Sequence, residues 1–203
     1  EQAVRIGQAL APAPGQMTWS REEDLQHGFY RPAIVARYRG AVDAAGLPLA
    51  WTSAYTGGQE GPSARPLYAI ANLDIRHAPS SGHVPEGPWR SVTYSYQGFF
   101  VESFADELAH AAGRDPLEFR RAALAGRPRH LAVLERAAAL AGWDRPLAPV
   151  EGLRRGRGIA IVESFGTIVC EVAGTYQVAY PSRPRRKVRV VPLVEFAPLA
   201  ELG

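Results

Sequence analysis

One short loop of the chain combines residue types that could hold an anionic ligand: Gly87-Pro88-Trp89-Arg90-Ser91. The flexible glycine, the fixed φ of the proline and the large indole lie within five residues, so such a loop could hold Arg90 still. Arginine stays charged and donates in a planar fork, which suits a phosphate group or the electron-rich edge of a heterocycle better than lysine would. On these residues alone, an ordinary ion pair between Arg90 and a nearby carboxylate remains the alternative.

A second candidate is a polar stripe on the helix that follows. Glu102, Asp106 and His110 are spaced i, i+4 and i+8, so they share a helix face and could bind a divalent metal or polarise a water. Three ligands from two turns of one helix rarely converge on one ion. The simpler expectation is an exposed polar stripe opposite the phenylalanines.

Other motifs point away from hydrolase and nucleotide-binding chemistry. Glu163-Ser164-Phe165-Gly166 lacks the Gly-x-Ser-x-Gly elbow and no histidine follows it, so a nucleophilic serine is not expected. The glycines at 152, 156 and 158 lack the Gly-Lys-Ser/Thr ending of a phosphate loop. The single cysteine, Cys170, excludes a disulfide framework within the chain and is expected to be a small core residue, not a reactive thiol.

The helices that must position these residues have clear start and stop signals in the sequence. Ser20 and Glu23 have capping-box spacing and predict a helix over 21–27, after a weakly helical segment over 3–11. Three consecutive helices are then predicted. The first has an apolar stripe and ends at Gly113; the stripe consists of Phe100, Phe104, Leu108 and Ala111. The second is capped by Asp115, and the third follows Pro128 and ends at Gly142, with the apolar stripe Leu131, Leu134, Ala138 and Ala141.

Alternating apolar residues predict strands on both sides of these helices. A hairpin is expected over 33–42 and 47–55 with its turn at 43–46, a short strand at 17–19, and a return to the sheet over 67–75. Further strands are expected over 159–162, 168–180 and 187–196. The fold class is therefore α+β, with a mixed or antiparallel sheet and a central three-helix segment.

Composition agrees with a folded globular chain. The 203 residues are 46% hydrophobic and 21% charged, the formal net charge is +3, and no run of eighteen apolar residues occurs, so membrane insertion is not expected. Two basic clusters, at 154–157 and 183–187, could bind phosphates or lie in solvated loops. No aromatic-rich or helix-turn-helix pattern accompanies them, and nucleic-acid binding is not predicted.

Three blocks of sequence resemble the molybdopterin-binding large subunit of the xanthine oxidase family: residues 18–32, 87–120 and 156–172. The branch they resemble most is the isoquinoline 1-oxidoreductase beta subunit, often labelled aldehyde dehydrogenase. The match spans about residues 1 to 172 in the family's order, so chance similarity is an unsatisfactory explanation.

The resemblance implies the activity of that family. Its members hydroxylate aldehydes or N-heteroaromatic compounds with oxygen from water, and pass electrons from a molybdenum cofactor to iron–sulfur clusters on a small partner subunit. By motif, Arg90 corresponds to the arginine of a loop that approaches the pterin, with Trp89 and Ser91 beside it. These three are the cofactor-binding residues that the resemblance implies.

The departures from the family limit what is expected of this chain. Thr93 stands where the family usually has glycine, the Gly-Gln-Gly element is missing, and the general-base glutamate would lie beyond Gly203, so no catalytic residue is assigned. The chain is expected to be a piece of a longer protein and inactive alone, with residues 1–150 a partial cofactor-binding domain and 151–203 a linker and hairpin entering a truncated second lobe. The alternative is a non-catalytic α+β interaction domain, and either a bacterial cytoplasmic or a periplasmic location stays open.

Overall fold

A three-stranded mixed sheet forms the first part of the larger of two compact units. In this computed structural model, which describes residues 1–80, 82–149, 153–178 and 187–192, its strands are β1 (Val35–Val42), β2 (Pro48–Thr56) and β3 (Asn72–Ala78). The strand order is β1-β2-β3; β1 and β2 are antiparallel, whereas β2 and β3 are parallel. The predicted hairpin is confirmed, and the predicted return to the sheet starts later, at Asn72 instead of residue 67.

The hairpin turn is fixed by one side chain and one left-handed glycine. The carboxylate of Asp43 accepts hydrogen bonds from the backbone N–H groups of Ala45 and Leu47, both at 2.9 Å. Gly46 has φ +72°, a conformation that glycine adopts without the penalty other residues incur. The turn is therefore determined locally by its own sequence.

Three helices follow the first sheet, as predicted: α3 (Tyr94–Ala111), α4 (Pro116–Ala123) and α5 (Pro128–Leu140). Asp115 caps α4 by accepting from the N–H groups of Leu117 at 2.8 Å and Glu118 at 3.3 Å, which confirms the predicted cap. Gly113 and Gly142 have φ of +64° and +60°, as their predicted roles as helix stops require.

A second sheet is antiparallel and consists, among the described residues, of β4 (Leu153–Ser164), β5 (Thr167–Val178) and β6 (Lys187–Pro192), in that order. Strand β4 includes residues 154–157. This basic cluster therefore lies in a strand, and the expectation that it lies in a loop is wrong. Of the second cluster, residues 183–186 lie outside the described residues, as do the predicted strand ends at 179–180 and 193–196.

The core of this unit is divided by α3. One cluster joins α3 to the first sheet and to α4, and contains Trp51, Val101, Phe104, Leu108, Ala109 and Phe119. The other joins α3 to α4, α5 and the second sheet, through buried residues that include Ala105, Leu117, Leu134, Ile161 and Val172. Because α3 is buried on two faces, the single predicted stripe is only partly right: Phe104 and Leu108 are buried, whereas Ala111 is exposed.

The smaller unit comprises residues 1–32 and 82–88 and contains α1 (Gln2–Leu10) and α2 (Arg21–His27). Ser20 and Glu23 form the predicted capping box at the start of α2. Residues 17–19 form no strand, so that prediction is wrong. Tyr30 instead makes an isolated parallel bridge with Glu86, which connects the two segments of this unit.

Candidate functional site

The predicted cofactor loop leads directly into the first turn of α3. Trp89 is 48% exposed, and the side chains of Arg90 and Ser91 are also exposed. The N–H of Val92 donates to the carbonyl of Trp89 at 2.8 Å, which closes a turn around Arg90. The guanidinium is thus displayed on a tight turn at the N-terminal end of an 18-residue helix.

The backbone of this turn is unusual. Ser91 has φ +70° and Val92 has φ +39°, so two consecutive residues other than glycine are left-handed. For the β-branched Val92 this is a genuine outlier, because its Cβ approaches the neighbouring carbonyl. Such conformations cost about 1–3 kcal/mol each and cluster at ligand-binding and catalytic positions.

The glycine before the turn has a steric reason of its own. In the smaller unit, a Cβ added at Gly87 would lie 2.6 Å from the Cβ of Phe29. The N–H of Gly87 also donates to the carbonyl of Tyr30 at 3.1 Å. Close approach, and not only the flexibility inferred from sequence, therefore explains this glycine.

Thr93, which the sequence resemblance compares with a glycine, has an ordinary backbone with φ −63°. Its hydroxyl is buried and lies 2.7 Å from the Ser63 hydroxyl, which donates to it. The local backbone therefore does not require glycine at 93, and the threonine side chain anchors the start of α3 to the 3-10 helix over Pro62–Ala64.

A buried ion pair lies two helical turns further along α3. The guanidinium of Arg120 is fully buried and donates to Glu102 Oε2 at 3.0 Å, to Asp106 Oδ1 at 2.5 Å and to the backbone carbonyl of Glu102 at 3.1 Å. Glu102 also accepts from the Tyr68 hydroxyl at 2.7 Å and from the N–H of Ile161 at 2.9 Å. One carboxylate thus joins α3, α4 and β4.

Burial and charge act against each other in this network. Burial raises the pKa of Glu102, while Arg120, the Tyr68 hydroxyl and the Ile161 N–H oppose that rise. Burial by itself would lower the pKa of Arg120, but Tyr68, Glu102 and Asp106 outweigh burial and raise it. Because every oxygen of Glu102 is already hydrogen-bonded, this carboxylate serves structure and is poorly suited to accept a proton from a ligand.

These contacts correct the expectation for the polar stripe. Glu102 is only 4% exposed, and it and Asp106 bind an arginine, whereas His110 is exposed and stands apart from them. The expected exposed stripe is therefore right for His110 and wrong for Glu102, which belongs to the second buried face of α3. No group of three or more His, Cys, Asp or Glu side chains suited to a metal occurs among the described residues.

A cleft of about 250 Å³ lies beside the N-terminal half of α3. Its wall includes the 3-10 helix, the turn between β4 and β5, and polar groups from Ser63, Tyr94, Glu102 and Glu163, with Arg65 and Arg127 among its charged residues. Glu163 is held by His130 Nε2, 2.9 Å from its Oε2. Trp89, Arg90 and Ser91 do not line this cleft.

Two further sequence expectations concern side chains of the second sheet. Cys170 packs against the core, and burial raises the pKa of its thiol to about 12, which agrees with an unreactive core residue. Arg157, in the first basic cluster, is half-buried. Its guanidinium lies 4.4 Å from the centre of the Trp143 ring and donates to the carbonyls of Gly142, Trp143 and Arg145. It therefore satisfies backbone acceptors just after α5.

Comparison with known proteins finds solved structures whose fold is similar to that of part of this chain. No family model matches the sequence, and no curated protein is significantly similar to it. Among solved structures, aldehyde oxidoreductase from Desulfovibrio gigas is 20% identical over 70% of this chain and 19% of its own, with a TM-score of 0.49. Aldehyde oxidoreductase from Desulfovibrio desulfuricans is 20% identical over 64% of this chain and 18% of its own, with a TM-score of 0.51.

The chain thus spans less than a fifth of the length of these two enzymes. The likeness to the second enzyme supports the α+β fold class, and at this identity it extends to fold alone. No described helix is both long and apolar enough to cross a membrane.

Proposed function

We propose that this chain is part of a molybdenum-cofactor oxidoreductase subunit of the xanthine oxidase type, and that it provides the loop carrying Arg90 to the pterin. The observation that carries the proposal is the strained turn that displays this arginine, with φ +70° at Ser91 and +39° at Val92. The sequence blocks around the turn and the likeness in fold to part of an aldehyde oxidoreductase support it.

The groups of the turn suit a pterin cofactor. The exposed guanidinium of Arg90 can donate in a fork to a phosphate or to a heterocycle edge, and the half-exposed indole of Trp89 can cover an apolar ring face. The Ser91 hydroxyl adds a further donor or acceptor. When bound, such a cofactor supplies the redox chemistry, while these side chains bind and orient it.

The remaining machinery belongs, in this proposal, to other segments and partners. The buried network of Glu102 and Arg120 supports the loop from behind by holding α3 in place, and no described carboxylate is assigned as the general base. A small iron–sulfur subunit would receive the electrons, and an aldehyde or N-heteroaromatic compound would be the substrate. The division into a partial cofactor-binding domain over 1–150 and a second lobe from 151 is part of the same proposal.

The test compares cofactor retention by two polypeptides. The 203-residue chain is compared with the longer polypeptide of which this proposal makes it a part, and both are purified from a host that makes the molybdenum cofactor. Molybdenum is measured by elemental analysis and pterin by fluorescence after oxidative release. We expect stoichiometric cofactor in the longer polypeptide only, and at least about a tenfold loss of pterin in its Arg90→Gln variant, as for the loss of a charge-assisted hydrogen bond.

Arg129→Gln is the matched control, because Arg129 is an exposed arginine on α5 and does not belong to the loop. It should leave cofactor content unchanged. If the longer polypeptide contains neither molybdenum nor pterin, the proposal is wrong and the non-catalytic interaction domain is favoured. Tight cofactor binding by the 203 residues would contradict the claim that the rest of the site lies elsewhere.

A further inference from the structure

The outward face of the first sheet carries three exposed arginines. On the side of the sheet opposite the core, β1 presents Arg37 and Arg39, and β3 presents Arg76 beside Asp74. All four side chains are exposed. None belongs to the loop or to the network discussed above, so this face is independent of the proposed function.

The register of the sheet places these residues in two rows across the strands. In one row, Ala54 of β2 lies between Arg37 of β1 and Arg76 of β3. In the next row on the same face, Thr52 lies between Arg39 and Asp74. The central strand thus contributes only the short side chains of Thr52 and Ala54. Because adjacent strands lie about 4.8 Å apart, the two arginine-bearing strands are separated by roughly 10 Å.

The short central residues leave a trough between taller charged walls. The trough has a volume of about 340 Å³ and is lined by Arg37, Arg39, Thr52, Ala54, Asp74 and Arg76, together with Ser53. This volume falls in the range of small-ligand pockets. Arginine side chains from the two outer strands can reach across Ala54 toward a common ligand.

The charge on this face is only partly balanced. Arg76 donates to Asp74 from Nε at 2.9 Å and Nη2 at 2.8 Å, and this contact raises the pKa of Arg76. In the part of the chain that the structure describes, no carboxylate pairs with Arg37 or Arg39. Like charges close together on one sheet face repel, so a bound anion would relieve an unfavourable interaction.

We propose that this trough binds a small phosphorylated molecule. Arg37 and Arg39 bind the phosphoryl oxygens, and Arg76 completes the binding site. Planar guanidinium groups match phosphate oxygens in a bidentate fork, which favours a phosphoryl group over a carboxylate of lower charge. The face has three cationic groups and one carboxylate, a net charge of +2, which complements a doubly charged phosphoryl group. The volume of the trough, about 340 Å³, suits a small molecule better than an extended acidic protein surface.

The experiment titrates the full chain with inorganic pyrophosphate by calorimetry at low ionic strength. Arg37→Gln and Arg39→Gln should each weaken binding about tenfold, as expected for the loss of a charge-assisted hydrogen bond. Asp74→Asn should strengthen binding about threefold, because it removes the one carboxylate and releases Arg76. Affinity should fall as salt is added, since exposed charges are screened within about 10 Å at 0.1 M.

Arg136→Gln, which removes the same charge from an exposed position on α5, should leave the affinity unchanged. Circular dichroism confirms that each variant is folded, and Asp74→Asn provides a gain in binding that misfolding cannot mimic. No pyrophosphate binding, or binding that is insensitive to Arg37 and Arg39, would overturn the proposal. Binding of a short oligonucleotide or of polyglutamate, in place of pyrophosphate, with the same dependence on Arg37 and Arg39 would assign the face to a macromolecule and would also overturn it.

Discussion

At the scale of single residues, Arg120 links two helices of the larger unit through one buried guanidinium. It is fully buried, and its guanidinium is neutralised by Glu102 and Asp106 while donating to the carbonyls of Glu102 and Pro116. A buried ion pair of this kind need not stabilise a fold more than apolar residues would, but leaving one partner alone is costly. The network therefore fixes how α3, α4 and β4 meet, and makes that junction sensitive to substitution.

Arg120→Met should lower the free energy of unfolding by about 3–5 kcal/mol, because it leaves the carboxylate of Glu102 buried without its cation. Urea denaturation followed by circular dichroism measures the change. The double variant Glu102→Leu with Arg120→Met should recover part of the loss, since it removes the uncompensated charge.

The neighbouring arginine of the same helix is the matched control. Arg121 binds Glu135 and Glu118 on the surface, with 36% of its own side chain exposed. Arg121→Met should cost no more than about 1 kcal/mol, because solvent screens an exposed pair. Equal losses for the two arginines would contradict the assignment of Arg120 as the buried junction.

The residue types of this network were readable in the sequence, but their partners were not. Glu102 and Asp106 were singled out by their spacing, yet that spacing alone favours a solvated stripe. The missed signal is Arg120 itself, which follows Phe119 and lies three residues after Leu117, on the buried side of a short amphipathic helix. An arginine at such a position needs a carboxylate from another element, and helix periodicity cannot identify which one.

At the scale of elements, the caps and turns were predicted best, because their causes are local. Asp43 with Gly46, Ser20 with Glu23, and Asp115 at the start of α4 each satisfy backbone groups within four residues. The parallel pairing of β2 with β3 and the two buried faces of α3 depend on contacts between distant segments. No local pattern specifies them, which is why the apolar stripe of α3 was only partly right.

Gly57, directly after β2, is a second element-scale constraint. Its φ is +82°, and an added Cβ would lie 2.0 Å from the carbonyl oxygen of Ala33. A left-handed conformation alone costs a residue other than glycine about 1–2 kcal/mol. Gly57→Ala should destabilise the larger unit by more than this, because the backbone near Ala33 must also move to make room for the Cβ. Thermal unfolding followed by circular dichroism measures this loss.

Gly113→Ala separates the two contributions. Gly113 is also left-handed, with φ +64°, but nothing lies within 4 Å of an added Cβ. Its substitution should cost only the conformational penalty of about 1–2 kcal/mol. A loss at Gly57 no larger than the loss at Gly113 would show that the first strands adjust easily to the added methyl group.

At the scale of the whole molecule, the two units differ in how much apolar surface they bury. The larger unit contains both core clusters, with Trp51, Phe119 and Leu134 fully buried. In the smaller unit, neither α1 nor α2 contains a buried residue, and Trp19, Leu25 and Phe29 are 52%, 70% and 63% exposed. Short helices without a buried face gain little from packing, so they should open locally at low free-energy cost.

Hydrogen exchange should therefore divide the chain by unit. The amides of α1 and α2 should exchange at least about a hundredfold faster than those of α3, because segments with few buried contacts open far more often than core helices. Exchange measured by mass spectrometry on peptides from each helix checks this expectation. The comparison lies within one sample, so it does not depend on the overall stability of the preparation.

Protein concentration provides the control for this last prediction. If the exposed apolar side chains of the smaller unit pack against a second copy of the chain, protection of α1 and α2 should fall on dilution, whereas protection of α3 should not change. Protection of α1 and α2 equal to that of α3 at every concentration would contradict the prediction. Such a result would mean that contacts within a single chain stabilise α1 and α2, even though their apolar side chains are exposed.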